Sequence, residues 1–427
     1  MDGATGSATG RGSVSGAGLL RLVLLGAAIG VPAAFAAAGF LALVHFLEHW
    51  LWTDLPSALH HRAPPWYLVV GLPLVGALIV VAVRRFLPGD GGHRPLQGLG
   101  GEVTPPAAAP GVALAALGTL SFGAVLGPEA PVVALGSALG VAASRLVRLD
   151  PKRTQVLARA GSFASISALF AGPVVAGMLL MEIGLAAGTA LLPLLLPGLV
   201  AAAIGYVIFI GFGSWGGLNA PGLTIPHLPG YHGLHLYDLL VAVVVGVLAA
   251  LLLAVVHRAA TRVERLQQRL GTAPVLAGGG LVVGLLALAA TWLGADSADV
   301  LFSGQTSLPA VVGASSVGLV LVLLVAKTLA YVVSLGCGFR GGPIFPALFL
   351  GVALAAVATV AFGVSPTLAI AVGTAAGMAA QARLLFSPLI FASLLVGRAG
   401  TDAIPAAVLA SAAAWVVSQA IVARKQN

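Results

Sequence analysis

Gly127-Pro128-Glu129-Ala130-Pro131-Val132-Val133-Ala134-Leu135-Gly136 and Gly342-Pro343-Ile344-Phe345-Pro346-Ala347-Leu348-Phe349-Leu350-Gly351 share the pattern Gly-Pro-x-x-Pro-x-x-x-Leu-Gly, 215 residues apart. The same offset relates Pro173, in Phe170-Ala171-Gly172-Pro173, to Pro388, in Leu385-Phe386-Ser387-Pro388, and Gly123 to Gly338. A single offset shared by separate motifs marks an internal repeat. Each Gly-Pro reads as the start of a helix, because Pro lacks the N–H that a first turn leaves unpaired and Gly lets the chain turn tightly just before it.

The sequence around these motifs calls for lipid as its solvent. Of 427 residues, 59% are hydrophobic and 8% charged, more apolar surface than soluble cores could bury. A helix spans a bilayer with roughly 20 apolar residues because it satisfies its own backbone groups. Apolar segments run over Leu19–Trp52, Trp66–Phe86, Gly111–Val125, Pro131–Val147, Gln155–Ile183, Thr189–Phe212, Leu234–His257, Val275–Leu293, Ser316–Leu335, Pro343–Phe362, Pro366–Met378, Pro388–Gly397 and Pro405–Ala423. Several are short or interrupted among 57 Gly and 26 Pro, and such breaks persist in a membrane only where protein or a watery cavity satisfies the freed backbone. The expected fold is therefore an all-α polytopic membrane protein whose broken helices serve a transport pathway.

Residues 1–18 read as a disordered polar tail, 19–423 as the transmembrane domain, with repeats over roughly 66–212 and 275–423, and 424–427 as a short cytoplasmic tail. The first apolar stretch lacks the short core and small-residue cleavage site of a signal peptide. The net charge of +8 is spread through short connections and does not gather on one face, which excludes a nucleic-acid partner and fits the positive-inside rule. Arg145, Arg148, Lys152, Arg153, Arg159, Arg258, Arg262, Arg265, Arg269, Arg424 and Lys425 are expected on the cytoplasmic side of an inner membrane, with both termini. Thr53–Pro65 and Ser214–Gly233 are expected on the opposite face. The lone Cys337 leaves the redox compartment open.

Paired Gly/Pro-interrupted segments in two halves point to a binding site at the bilayer midplane. A helix N-terminus presents unpaired N–H groups and about half a positive charge, so two of them meeting inside a membrane attract a small anion. Glu129 lies in the first copy, where the second has Ile344. Its carboxylate either occupies the anion's place and acts as a gate, or caps an ordinary helix.

The sequence resembles the CLC family of chloride channels and chloride/proton antiporters. The resemblance spans roughly Leu19 to Ile421. It rests on Gly127-Pro128-Glu129-Ala130-Pro131, similar to the family's Gly-Arg/Lys-Glu-Gly-Pro, and on Gly341-Gly342-Pro343-Ile344-Phe345-Pro346, similar to its Gly-Gly-Ile/Val-Phe-Ala-Pro. Phe170-Ala171-Gly172-Pro173 with Met178-Leu179-Leu180-Met181-Glu182 is similar to the family's Phe-Asn-Ala-Pro-Leu and the acidic segment after it. The resemblance implies two inverted-topology halves, a homodimer with one anion pathway per subunit, a gating glutamate at Glu129 and anion-facing backbone at Gly127, Pro128, Ala130, Gly342, Ile344 and Phe345. It implies no cofactor, and paired cytoplasmic regulatory domains are not expected.

The chain departs from the family at four places. Gly91-Gly92-His93-Arg94-Pro95 stands where a serine hydroxyl meets the anion, so His93 is either an N–H donor to the anion or part of a solvated loop. The family tyrosine is sought before Pro405, where Thr401 offers a hydroxyl or, with Asp402, a helix cap. Pro343 removes one N–H from the second copy. Ile183 falls at the family's internal proton glutamate, next to Glu182; that carboxylate either carries protons or sits at a helix end, and one residue turns a helical side chain by about 100°.

His45 and His49 share a helix face but lack a metalloprotease order, so the histidines are read as interfacial and no metal is expected. Lys327, inside an apolar run, is expected to pair or to reach a cytoplasmic edge. No Ser/His, Asp/Asp or zinc-ligand constellation supports an intramembrane hydrolase, so the protein is read as no enzyme. A non-transporting scaffold would leave the cost of the broken helices unexplained. Transport of a small inorganic anion, chloride first, as a proton-coupled exchanger or a channel, is the expected function.

Overall fold

The computed structural model describes residues 16–98, 102–170, 172–186, 192–212, 214–218 and 224–426. The first half comprises α1 (Gly16–His49), α2 (Leu55–Ala58), α3 (Trp66–Phe86), α4 (Ala109–Leu120), α5 (Glu129–Leu146), α6 (Pro151–Leu169), α7 (Pro173–Ala186) and α8 (Leu192–Ile210). The second comprises α9 (Leu236–Leu270), α10 (Thr272–Trp292), α11 (Ser297–Val300), α12 (Leu308–Val312), α13 (Val317–Gly336), α14 (Ile344–Phe362), α15 (Pro366–Ala382), α16 (Phe386–Val396) and α17 (Ile404–Gln426). Among the described residues, seven helical stretches are long and apolar enough to cross a membrane, and the only β-type pairings are isolated bridges. The chain is a multi-pass α-helical membrane protein.

The repeat is visible in the packing. α5 lies on α6 as α14 lies on α15; α6 lies on α8 as α15 lies on α17. α1 packs on α5, α6 and α8, and α9 on α14, α15 and α17 in the same order. This equivalence carries the repeats outward beyond 66–212 and 275–423 to include α1 and α9. Across the two halves α3 packs on α10 and α7 on α16. The glycine that closes each motif makes one of these packings: a Cβ on Gly136 would strike the Gly161 carbonyl of α6, and one on Gly351 the Gly373 carbonyl of α15. Small residues at helix contacts let backbones approach and gain dispersion contacts where lipid supplies no hydrophobic drive.

Several boundaries differ from those read in the sequence. α1 starts at Gly16, so the last three residues of the expected 1–18 tail are helical, and residues 1–15 lie outside the described residues. α9 runs 35 residues, so Arg258, Arg262, Arg265 and Arg269 extend a helix and do not sit in a loop; polar side chains propagate a helix past the apolar span without difficulty. α17 continues to Gln426, which makes Arg424 and Lys425 helical too, with Asn427 outside the described residues. The apolar run Gln155–Ile183 is two helices, parted after Phe170 by a break whose Ala171 lies outside the described residues.

Candidate anion site

Both Gly-Pro motifs start helices, with Pro128 the N-cap of α5 and Pro343 the N-cap of α14. They meet N-terminus to N-terminus. Gly127 N–H donates to the Gly342 carbonyl at 2.8 Å and Gly342 N–H to the Gly127 carbonyl at 2.6 Å, an antiparallel bridge between the two copies. The matching glycines just upstream, Gly123 and Gly338, both take left-handed φ, +91° and +98°.

Breaking a helix in the membrane frees backbone groups, and neighbouring elements collect them. Before the first motif, Trp52 Nε1 donates to Ser121 O at 2.9 Å, Phe302 N–H to Gly123 O at 3.3 Å, and Val125 N–H to Ser334 Oγ at 3.0 Å. Before the second, Arg84 Nη1 donates to Gly338 O at 3.2 Å and Arg340 N–H to Thr119 Oγ1 at 3.1 Å. Tyr331 of α13, fully buried, gives its hydroxyl to Pro343 O at 2.8 Å. Each half thus supplies partners for the other's break.

Glu129 is fully buried, and its carboxylate crosses to the opposite copy: Oε1 accepts from Ile344 N–H at 2.8 Å and Phe345 N–H at 3.1 Å. Oε2 is buried with no hydrogen-bond partner among the described residues. The carboxylate lies directly over both motif glycines, where a Cβ on either Gly127 or Gly342 would collide with it. Glycine is needed at both positions for this close approach, beyond any turn requirement. Pro343 contributes no N–H, so the cradle begins at Ile344. Phe345 is backed by Phe170 at 5.8 Å between ring centroids, and Phe170 by Phe391 at 4.4 Å, edge to face. Two of these rings come from the repeated Phe-Ala-Gly-Pro and Gly-Pro motifs, and the third lies just after Pro388.

The structure gathers Gly127, Pro128, Glu129, Ala130, Gly342, Ile344 and Phe345 at one place and leaves the other sequence candidates elsewhere. Glu182 sits at a second helix start: Oε1 accepts from Leu385 N–H at 2.8 Å and Phe386 N–H at 2.7 Å, and Oε2 from Ser387 N–H at 2.8 Å and Ser387 Oγ at 2.5 Å. Both oxygens are occupied in capping α16. Ile183 lies in α7, with its side chain outside the described residues. Thr401 is exposed on the 397–403 turn, which is braced by the 224–235 loop through Tyr231 N–H to Ala399 O, 2.8 Å, and not by the groups around Glu129.

His93 belongs to a separate cavity of about 370 Å³ between its own loop and α5, with Glu102 and Thr104 on one wall and Ala130 and Ala134 on the other. The loop is anchored by charge. Asp90 accepts from Arg84 Nε at 2.8 Å and from Arg340 Nη2 at 2.5 Å, while Arg340 Nε donates to the Asp90 carbonyl at 2.9 Å. Among the described residues Lys327 pairs with no carboxylate and it does not reach an edge: fully buried, it donates to the Asp299 and Leu301 carbonyls at 2.8 Å each and lies 4.5 Å from the Phe349 ring centroid. It closes the C-terminal end of α11, where carbonyls lack helical partners. Tyr331 and Arg340 were not singled out by sequence; a cation directly before Gly341-Gly342 and a lone tyrosine in an apolar run were the signals available.

Two helix starts from the two halves of a repeat, meeting over one buried carboxylate, are the arrangement of a multi-pass protein that transports anions. The chain belongs to the voltage-gated chloride channel family, whose sequence pattern matches residues 75–419. It is similar to "Putative ion-transport protein YfeO" of Escherichia coli strain SMS-3-5, 32% identical over 346 residues that cover 79% of this chain and 78% of the relative. The protein of that name from Shigella boydii serotype 4 is 30% identical over 347 residues with the same coverage. Among solved structures, a slow cyanobacterial Cl−/H+ antiporter superposes with a TM-score of 0.76 at 16% identity, covering 94% of this chain and 95% of the other. A CLC-type fluoride/proton antiporter gives 0.71 at 23% identity, covering 95% and 97%. At these identities the likeness speaks for the fold.

Proposed function

We propose that this protein exchanges a small inorganic anion, chloride first, for protons, with Glu129 as the gate. The observation that carries the reading is the Glu129 carboxylate held by Ile344 N–H and Phe345 N–H, the donors that a helix start offers to an anion. The side chain acts as a tethered anion. Protonation removes the charge that the N–H groups hold, the carboxyl leaves, and a free anion takes the same donors; its return expels the anion and delivers the proton. Family membership supports reading the chain as a transporter. Coupling to protons is favoured over a channel because two solved structures that share the fold are proton antiporters.

Chloride is placed first on the family's description, and the backbone N–H cradle suits a small inorganic anion in general. The arginines at the ends of α5, α9 and α17 support cytoplasmic termini in an inner membrane, and the resemblance of the two halves to the family supports a homodimer with one pathway per subunit. The test is purified protein in liposomes carrying a chloride gradient, with external chloride and pH recorded together. Uphill proton movement driven by chloride is the expected result. Anion release that never moves protons would refute exchange, and no release of chloride, fluoride or nitrate would refute transport.

A further inference from the structure

The exchange reading requires a proton to reach Glu129 from the cytoplasmic side, and the carboxylate nearest the family's internal proton site does not offer itself. Glu182 is locked by four donors at the start of α16. The cavity beside α5 has what that position lacks. It reaches Ala130, in the same helical turn as Glu129, and lies between residues 88–97 and 102–108 and the first turns of α5, with Arg94 among its lining residues. His93 lines it, and its Nε2 is buried without a hydrogen-bond partner among the described residues. Glu129 Oε2 is in the same condition. One unpartnered buried polar atom is therefore on the cavity wall, and the other belongs to the residue next to Ala130, which lines that wall.

Resting on that exchange reading, we propose that His93 is the internal proton carrier, passing protons between cytoplasmic water and Glu129 through this cavity. A proton from water bonds to the free Nε2 lone pair; the N–H bond then breaks toward cavity water, and a water proton arrives at Glu129 Oε2, so one proton enters and one is delivered. The charged groups facing the imidazole suit a reversible step. Glu102 and Arg94 line the cavity from its own segment, α5 presents Ala130, Val133 and Ala134 and α4 presents Val112, while Arg340, from the link before α14, acts on the imidazole through its charge. Desolvation lowers the imidazole below its ordinary value, with the backbone of Gln97 and the charge of Glu102 pulling it partly back. The shift favours the neutral form, so proton loading is expected to increase as cytoplasmic pH falls.

The experiment compares wild type with H93Q and H93N in chloride-loaded liposomes, reading protons moved per chloride. Both substitutions keep a polar side chain in a loop outside the helices, and monodispersity in detergent checks each fold. The expected result is a fall in protons per chloride of about a hundredfold or more, the range for removing a proton-transfer group, in both variants. In wild type the proton flux should rise as the inner pH is lowered and lose that dependence in H93Q. An unchanged ratio overturns the proposal. So does a parallel loss of both fluxes at constant ratio, which would assign His93 to anion binding. Wild type that moves chloride without protons overturns it while leaving the anion pathway standing; wild type that moves no anion removes the transport reading beneath it.

Discussion

Glu129 and Glu182 are two carboxylates of the first half, each laid on the N-terminus of a helix of the second. Glu129 meets α14 with one oxygen, two backbone donors and a second oxygen left bare. Glu182 meets α16 with both oxygens, three backbone donors and a serine hydroxyl. The helix field is the same kind in both cases, so the number of donors decides how the carboxylate behaves. Charge-assisted hydrogen bonds contribute about 1.5–3 kcal/mol each, and a group held by four of them is a fixed cap. One held by two, with a face free for a proton, can be displaced by an anion that brings its own charge.

The comparison breaks most decisively at Glu129. Glu129→Ala should leave chloride flux present and reduce protons per chloride by about a hundredfold or more, measured in the liposome assay; retained coupling would put the gate elsewhere. Gly342→Ala should approach that result with the carboxylate still in the chain. A methyl group there takes the space of the carboxylate and drives it from the cradle. Chloride leak without matching proton movement is the expected readout, and wild-type coupling in G342A would show that the carboxylate does not need this position. Glu182→Ala should do the reverse: lower stability by about 2–4 kcal/mol through loss of a cap and its charged bonds, while protons per chloride remain at the wild-type value. Thermal unfolding in detergent and the same flux assay check the pair. Tyr331→Phe is the smallest, about 1 kcal/mol for one buried hydrogen bond, with chloride turnover reduced a fewfold because the Pro343 carbonyl loses its tether.

The Gly-Pro pairs were legible in the sequence because a proline and a glycine mark a helix start without any neighbour being known. The offset from Gly127 to Gly342 placed the two starts in equivalent positions, and that was enough to expect them together. Contacts made across the halves were not legible. Tyr331 precedes Pro343 by twelve residues, yet its hydroxyl matters only because α13 folds back along α14. A tyrosine in an apolar run gives no sign of which carbonyl it will meet. Thr401 shows the same limit: the sequence leaves it open between an anion-facing hydroxyl and a helix cap with Asp402, and its exposed position on the 397–403 turn depends on how that turn packs. Glu182 was ambiguous for a physical reason: a carboxylate at a helix end and one awaiting a proton are spelled alike, and only its four donors separate them.

The hydrogen-bonded pair Gly127–Gly342 joins the two halves at the point where the anion would pass. Carriers that rock one half against the other must part their halves at the substrate, and here that seam is stitched by the backbone itself. On the gating proposed for Glu129, access to either side of the membrane would be switched by rotation about the side-chain bonds of that one residue, with the scaffold standing still. Structures captured with the carboxylate in and out of its cradle should superpose everywhere except along Glu129 from Cβ outward.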